Sequence, residues 1–442
     1  MNKITYTILL LSLLFTNCTS DTPTTKTSKP NLDTKSTVVK TKGMGILVSK
    51  NTGLDQNTLE DTTFHDLKSA LKVPEEVLAS QTNDSDEITP EDSSFYDLKT
   101  ALKFPEQVKH LSITDTGISK VPEEVLTFKN LESLNLGFNN FTTFPDLKYV
   151  PKGIKTLELT ANKIRNFPDN ISELKSLEYL NLSHNKFVEI PREISVLAKF
   201  KSLKQLDLSY NQLVELPREL GVLTNLKSLN VSTNTELKVI PNSIHKLKSL
   251  EELNADVSIL EQLKPNSNEL TKLVLLKLNN STLKPDIFSS NIQYLKNLEK
   301  IEILGPVVSI PKSISALNNL RTLDLIGNNS EELAPGLEHL PNISELSLTF
   351  CNIKTLDFKI NKDNKIKKLD LSHNRIEYLP HNISVFSQLE ELDLSYNDIR
   401  PKPELIEIIG SLKNLRTVKM QNGASNVINE LKAAFPNIYF SY

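Results

Sequence analysis

Imidazole, thiol and paired carboxylates are the groups in this chain that could do chemistry, and they are few. There are seven histidines and two cysteines. His184 and His373 each sit in a Leu-Ser-His-Asn phrase, and Tyr210 and Tyr396 in Leu-Ser-Tyr-Asn; Phe138 and Phe350 hold the matching position elsewhere. An imidazole acting as general base needs a nucleophile, an orienting carboxylate or a metal within reach. The sequence offers no H-E-x-x-H, C-x-x-C, G-x-S-x-G or phosphate-cradling glycine loop. The pairs Glu251-Glu252 and Glu390-Glu391 are adjacent, and neighbours on a strand face opposite ways, so they form no dyad. We therefore assign no catalytic residue, no metal and no cofactor, and expect a protein that is not an enzyme. The net charge of −3 gives no reason to expect nucleic acid as a partner.

What positions these side chains is a repeat. Leu131-Glu-Ser-Leu134-Asn-Leu136-Gly-Phe-Asn139-Asn-Phe141 recurs with starts at Val108, Leu131, Ile154, Leu177, Leu203, Leu226, Leu250, Leu273, Leu298, Leu320, Ile343, Ile366, Leu389 and Leu415. The dominant spacing of these fourteen starts is 23 residues, as in 131 − 108 and 154 − 131. The phrase resembles the leucine-rich repeat, L-x-x-L-x-L-x-x-N-x-L. That resemblance implies an α/β solenoid, a horseshoe with a parallel sheet on its concave face and short helices or turns on its convex face. The alternation in L-x-L independently suits a half-buried strand, and no single repeat can bury its own leucines. Eight residues after the start stands an asparagine in Asn139, Asn162, Asn185, Asn211, Asn234, Asn328, Asn374 and Asn397, and Cys351 in another unit. These are read as a structural ladder whose polar groups satisfy backbone groups where the chain leaves the strand. Ser258, Ser281 and Pro306 replace the asparagine in consecutive units, so looser packing or altered curvature is expected between residues 250 and 319. Apolar-proline steps such as Val121-Pro122 and Leu216-Pro217 follow many strands and discourage the ladder from continuing.

Exposed strand positions define the candidate contact surface. Four residues after each start, six of thirteen residues are acidic: Glu158, Asp207, Glu302, Asp324, Asp370 and Asp393. Seven after the start lie Phe138, His184, Tyr210, Phe350, His373 and Tyr396. Aromatic side chains beside a polar sheet are of the type that anchors interfaces. Partner binding is accordingly expected at Phe138, Glu158, His184, Asp207, Tyr210, Asp324, Phe350, Asp370, His373, Asp393 and Tyr396.

The N-terminus reads as a secretory signal: Lys3, then the apolar run Ile8 to Phe15, ending at Cys18. Leu14-Phe-Thr-Asn-Cys18 resembles a bacterial lipoprotein box, which implies cleavage after residue 17 and lipidation of Cys18. Residues 19–92 read as a disordered tether, rich in Thr, Ser, Lys and Asp over its first part. Within it, near residues 62–78, Phe64-His-Asp-Leu-Lys-Ser-Ala-Leu71 duplicates Phe95-Tyr-Asp-Leu-Lys-Thr-Ala-Leu102, and reads as a vestigial cap helix with no strand after it. The second copy, residues 93–107, is expected to be an N-terminal cap helix with Phe95, Leu98, Ala101 and Leu102 on one face. The repeats then occupy 108–437, and residues 438–442 form a closing strand. Tyr96, Asp97, Leu98, Ala101, Leu102, Pro105 and Val108 resemble the lead-in segment of spirochaetal leucine-rich-repeat proteins, which implies a secreted or surface-exposed binding protein. The expectation is a monomer, lipid-anchored at the outer membrane and cell surface of a bacterium, binding protein (host extracellular matrix or receptor) or glycan. The alternative is a periplasm-facing scaffold with a bacterial partner.

Overall fold

The computed structural model describes residues 93–441, except 169, 191–201, 238–239, 257–258, 261–268, 280–285, 288–289, 306, 328–335, 341–342, 356–359, 380, 401–402 and 424; before residue 93 it describes only the backbone of 39–41 and 44–46. Cys18, the duplicate near 62–78, Asn328, Ser258, Ser281 and Pro306 lie outside the described residues. The chain divides into two compact units, Met1–Thr89 and Pro90–Tyr442. In the first, Val39–Thr41 and Met44–Ile46 pair antiparallel.

The second unit is a solenoid built on one sixteen-stranded parallel sheet, whose strands follow chain order. Fourteen of its strands begin two residues after the repeat starts, from His110–Ser112 and Ser133–Asn135 to Thr417–Lys419. In-register pairing sets equivalent residues side by side, as in Leu134↔Leu157 and Leu157↔Leu180. The leucines at the third and fifth positions after each start point inward. Leu134, Leu136, Leu157 and Leu159 are fully buried, as are Phe128, Phe141 and Phe187. Opposite the sheet run short 3₁₀ turns. Pro122, Pro217, Pro241 and Pro311 precede Glu123–Thr127, Arg218–Val222, Asn242–Lys246 and Lys312–Ala316, each with φ between −61° and −70°. The pyrrolidine ring presets that angle and leaves no N–H to continue a sheet.

The described ladder asparagines close the turn off their strands. Asn162 Nδ2 donates to Leu136 O (3.0 Å), Leu159 O (3.1 Å) and Thr160 O (3.3 Å), while its Oδ1 accepts from Phe141 N at 3.0 Å. Asn185, Asn211, Asn234, Asn374 and Asn397 repeat the pattern, each reaching one unit back. Buried Cys351 makes two of these donations, to Leu325 O and Thr349 O, and is a free thiol.

The stretch expected to be loose behaves differently in its sheet. The strands Glu252–Asp256, Leu275–Asn279 and Lys300–Leu304 have five residues each, where the preceding units have three. An asparagine amide takes the carbonyls at a strand's end. In these units main-chain pairing runs two residues further, and Ala255 is fully buried in the lengthened strand.

The ends are closed differently. At the start, Ser94–Phe95 adds a strand parallel to His110–Ser112. The helix expected over 93–107 is confined to Leu98–Ala101, capped by Asp97 Oδ1 accepting from Thr100 N at 2.7 Å. Phe95 and Ala101 are buried, but Leu102 is exposed, because four helical residues do not bring it round to the covered face. At the other end, Ser425–Ala434 is helical and Tyr439–Ser441 pairs with Thr417–Lys419.

Candidate functional site

Two lanes of side chains rise from the solvent side of the sheet. The first stands four residues after each start and runs in register: Glu158↔Asn181↔Asp207↔Asn230↔Asn254↔Lys277. Further lane members are Glu302, Asp324, Asp370, Asp393 and Lys419.

The second lane stands seven after each start and has an unusual backbone. Phe138, Ala161, His184, Tyr210, Thr233, Phe350, His373 and Tyr396 all have φ between +53° and +57°. Past the strand's end N–H groups of this lane still donate across to the next unit, as in Phe138 to Thr160 O (2.8 Å), His184 to Ser209 O (3.0 Å) and Tyr396 to Gln421 O (2.8 Å). The left-handed region costs a residue with a Cβ roughly 1–2 kcal/mol. Gly305 and Gly327 occupy the same position at φ +102° and +70°, the residue type this conformation favours.

The rings in this lane stack. His184 and Tyr210 lie 4.0 Å apart and 9° from parallel. Phe350, His373 and Tyr396 form a second stack at 4.2 Å per step. Phe138 is 61% exposed and makes no ring contact among the described residues. The six aromatic positions read from the sequence thus fall into two stations, Phe138 with His184 and Tyr210, and Phe350 with His373 and Tyr396. The spacing of the residues could locate the lane, but nothing in residue type announces that Phe, Tyr and His occupy a left-handed backbone.

Electrostatics divide the same face. Asp207 is 7% exposed; its Oδ1 accepts from Ser209 N and Oγ, and its Oδ2 from Asn230 Nδ2 at 3.0 Å. Burial still holds its carboxyl above the ordinary value, against those bonds. Glu158 is half-buried, pushed up by burial, and its side chain has no hydrogen bond or ion pair among the described residues. Tyr179 lies on the strand between them and is pushed up to about 12, first by burial and then by the charges of Glu158 and Asp207. The imidazoles of His184 and His373 are lowered by burial.

From Glu252 onward, Glu252, Glu302, Asp324 and Asp393 have lysine partners. Lys277 meets Glu252 at 2.8 Å and Glu302 at 3.9 Å, and Lys300 meets Glu302 at 2.9 Å and Asp324 at 2.8 Å. Burial lowers the Lys300 ammonium, but its bonds to Asp324 and Glu302 outweigh this and hold it above the ordinary value. Lys368 pairs with Glu345, and Lys419 with Glu391 and Asp393. Asp370 has no ion pair among the described residues and is raised by burial. A shallow cleft of about 230 Å³ on the flank is lined by the paired charges Glu345, Lys367, Lys368, Glu390, Glu391 and Arg416. Among the described residues no group of histidine, cysteine and carboxylates is arranged to hold a metal, and no helix is long and apolar enough to cross a membrane.

A family model described as "Leucine-rich repeat region" matches residues 156–307 and 256–441, together more than half the chain. The chain belongs to the leucine-rich repeat family. It is similar to a solved leucine-rich repeat protein of Leptospira interrogans, with 23% identity over 79% of this chain and 100% of that one, at a TM-score of 0.48. It is also similar to the internalin inlF from Listeria monocytogenes, with 22% identity over 72% of this chain and 88% of that one, again at 0.48. No curated protein matches the chain.

Proposed function

We propose that this leucine-rich repeat protein is a non-catalytic binding protein that engages a protein or glycan partner through the face of its sheet. We further propose that it is lipid-anchored through Cys18 on the outer surface of a bacterium. The observation that carries the binding role is the aromatic lane. Six bulky rings occupy backbone that glycine or asparagine would adopt at less cost. Residues held in this region cluster at ligand-binding sites. Phe138 makes the point most directly, because it bears the strain, is 61% exposed and gains no stacking in return.

The binding role is tested by capturing partners from host extracellular matrix and serum with the wild-type chain and with the Tyr210→Ala, Tyr396→Ala pair. The pair is expected to lose the captured partner while keeping the wild-type melting temperature within a few degrees. Capture that survives the double substitution would move binding away from this face. Location is tested by protease treatment of intact cells. Digestion is expected without breaching the outer membrane, and protection until it is breached would favour the periplasm-facing alternative.

A further inference from the structure

Resting on the sheet-face reading, the geometry points to a more specific occupant for the N-terminal part of that face. We propose that Glu158, Asp207 and Asn254 form a strip of acceptor oxygens that binds the lysine or arginine side chains of an extended protein segment, laid beside Phe138, His184 and Tyr210.

The first reason is the inventory of cations. On the strands Ser133–Asn135, Thr156–Glu158, Tyr179–Asn181, Gln205–Asp207 and Ser228–Asn230, no outward position is Lys or Arg. The lysines closest in sequence are engaged on the flank, Lys155 with Glu132 at 2.9 Å, Lys204 with Glu178 at 2.7 Å and Lys227 with Glu251 at 2.9 Å. Glu158 and Asp207 therefore sit withdrawn from water with no ion pair among the described residues, whereas Glu302, Asp324 and Asp393 on the same lane are paired. A desolvated charge left unpaired is costly, and a partner cation that arrives on binding relieves that cost.

The second reason is independent of charge. Asn254, in the same lane, is 6% exposed, and its Oδ1 accepts no hydrogen bond. Buried carbonyl oxygens are almost always satisfied. The buried spare capacity of this lane thus includes carboxylate oxygens and one amide oxygen, all acceptors. Ammonium and guanidinium groups are donors only.

Spacing selects a chain rather than a single ion. Glu158 and Asp207 stand two strands apart, about 10 Å. No one metal ion spans that gap, but cations three residues apart on a segment in the extended polyproline II conformation do, since three residues make one turn at about 3.1 Å per residue. The aromatic lane beside them offers ring edges and faces to the stems of those side chains.

The test uses the full chain and fluorescence anisotropy with two labelled probes: a serine-rich peptide with lysine at every third position, and its counterpart with glutamate in place of lysine. The lysine peptide is expected to bind, with affinity falling as salt is raised, and the glutamate peptide not to bind. Glu158→Gln and Asp207→Asn are each expected to weaken the lysine peptide roughly tenfold or more. Glu158→Gln keeps the test open should Asp207→Asn disturb the fold, because Glu158 makes no side-chain hydrogen bond. No binding of the lysine peptide, equal binding of the two peptides, or binding unchanged by Glu158→Gln overturns the inference. Spermine competing as tightly as the peptide overturns the choice of a protein segment. If Tyr210→Ala weakens the lysine peptide while the acid substitutions do not, the cation assignment falls and the sheet-face reading stands. If none of these substitutions matters, both fall.

Discussion

At the scale of single residues, left-handed backbone and amide ladder make opposite demands on side chains, and both can be measured. Ala161 and Thr233 sit at φ +54° and +55° without ring stacking to offset the strain. Ala161→Gly and Thr233→Gly are each expected to stabilise by about 0.5–1 kcal/mol in chemical denaturation, the relief of strain exceeding glycine's extra unfolded-state freedom. Equal or lower stability would show that the turn holds these residues without strain. Asn374 works the other way. Its amide serves three carbonyls and accepts from Cys351 N and Ile353 N. Asn374→Ala leaves those groups buried without partners, and a loss of about 2–4 kcal/mol is expected, since each orphaned group costs about 1–3 kcal/mol. The histidines carry a pH signature. The imidazoles of His184 and His373 are lowered by burial below the ordinary 6.5. Below pH 6.5 the unfolded chain takes up protons that the folded chain refuses, so their contribution is full above that pH and is lost as pH falls through it. Asp207, raised by burial, acts in the opposite sense and gains as pH falls. Replacing both histidines with glutamine isolates their part. The variant's melting temperature should fall less than the wild type's between pH 7.5 and 5.5, and parallel curves would refute the assignment.

At the scale of elements, much of this fold is readable before any coordinates, for a physical reason. A repeat of 23 residues with L-x-x-L-x-L fixes which side chains must be shared between neighbours, and the strands begin two residues after each start. What was not readable depends on backbone geometry rather than residue type. Phe95 has the spacing of a helix face, yet lies on a two-residue strand, because the edge of His110–Ser112 offers it hydrogen-bond partners that a helix would forgo. Leu102 matches the same face and is exposed. The lengthened strands from Glu252 to Thr349 were likewise hidden, since strand length does not follow the ladder residue: Thr322–Ile326 has five residues in a unit with an asparagine, and His110–Ser112 has three in a unit without one. The first element tests this reasoning. Phe95 and Ala101 cover Val108 and Leu111, all four buried. Deleting residues 93–107 should lower stability by several kcal/mol, at about 1.5–3 kcal/mol for each large side chain uncovered. A melting temperature unchanged by the deletion would show that the first repeat needs no cover.

At the scale of the whole sheet, the two aromatic stations invite one question: does a single partner occupy both? His184 with Tyr210 and His373 with Tyr396 stack almost alike, at 4.0 Å and 4.2 Å, yet their strands are eight steps apart, about 38 Å along the sheet. Gly305 and Gly327 lie between them in the same lane, where no ring can offer contact. The intervening face is crossed by the paired charges of Lys277, Glu302, Lys300 and Asp324, which already satisfy one another. A small ligand can use one station only; an elongated or two-footed partner can use both. Linked contacts multiply, so losing either foot of a bivalent partner should cost far more than a single surface contact, on the order of 10²-fold. We expect Tyr210→Ala and Tyr396→Ala each to weaken the captured partner by that order when measured singly by surface binding, and the pair, which removes both feet, to abolish binding. If one substitution is silent while the other abolishes binding, the partner stands on one station, and the charge of that station identifies its chemistry: cationic at Asp207, closer to neutral beside Lys419.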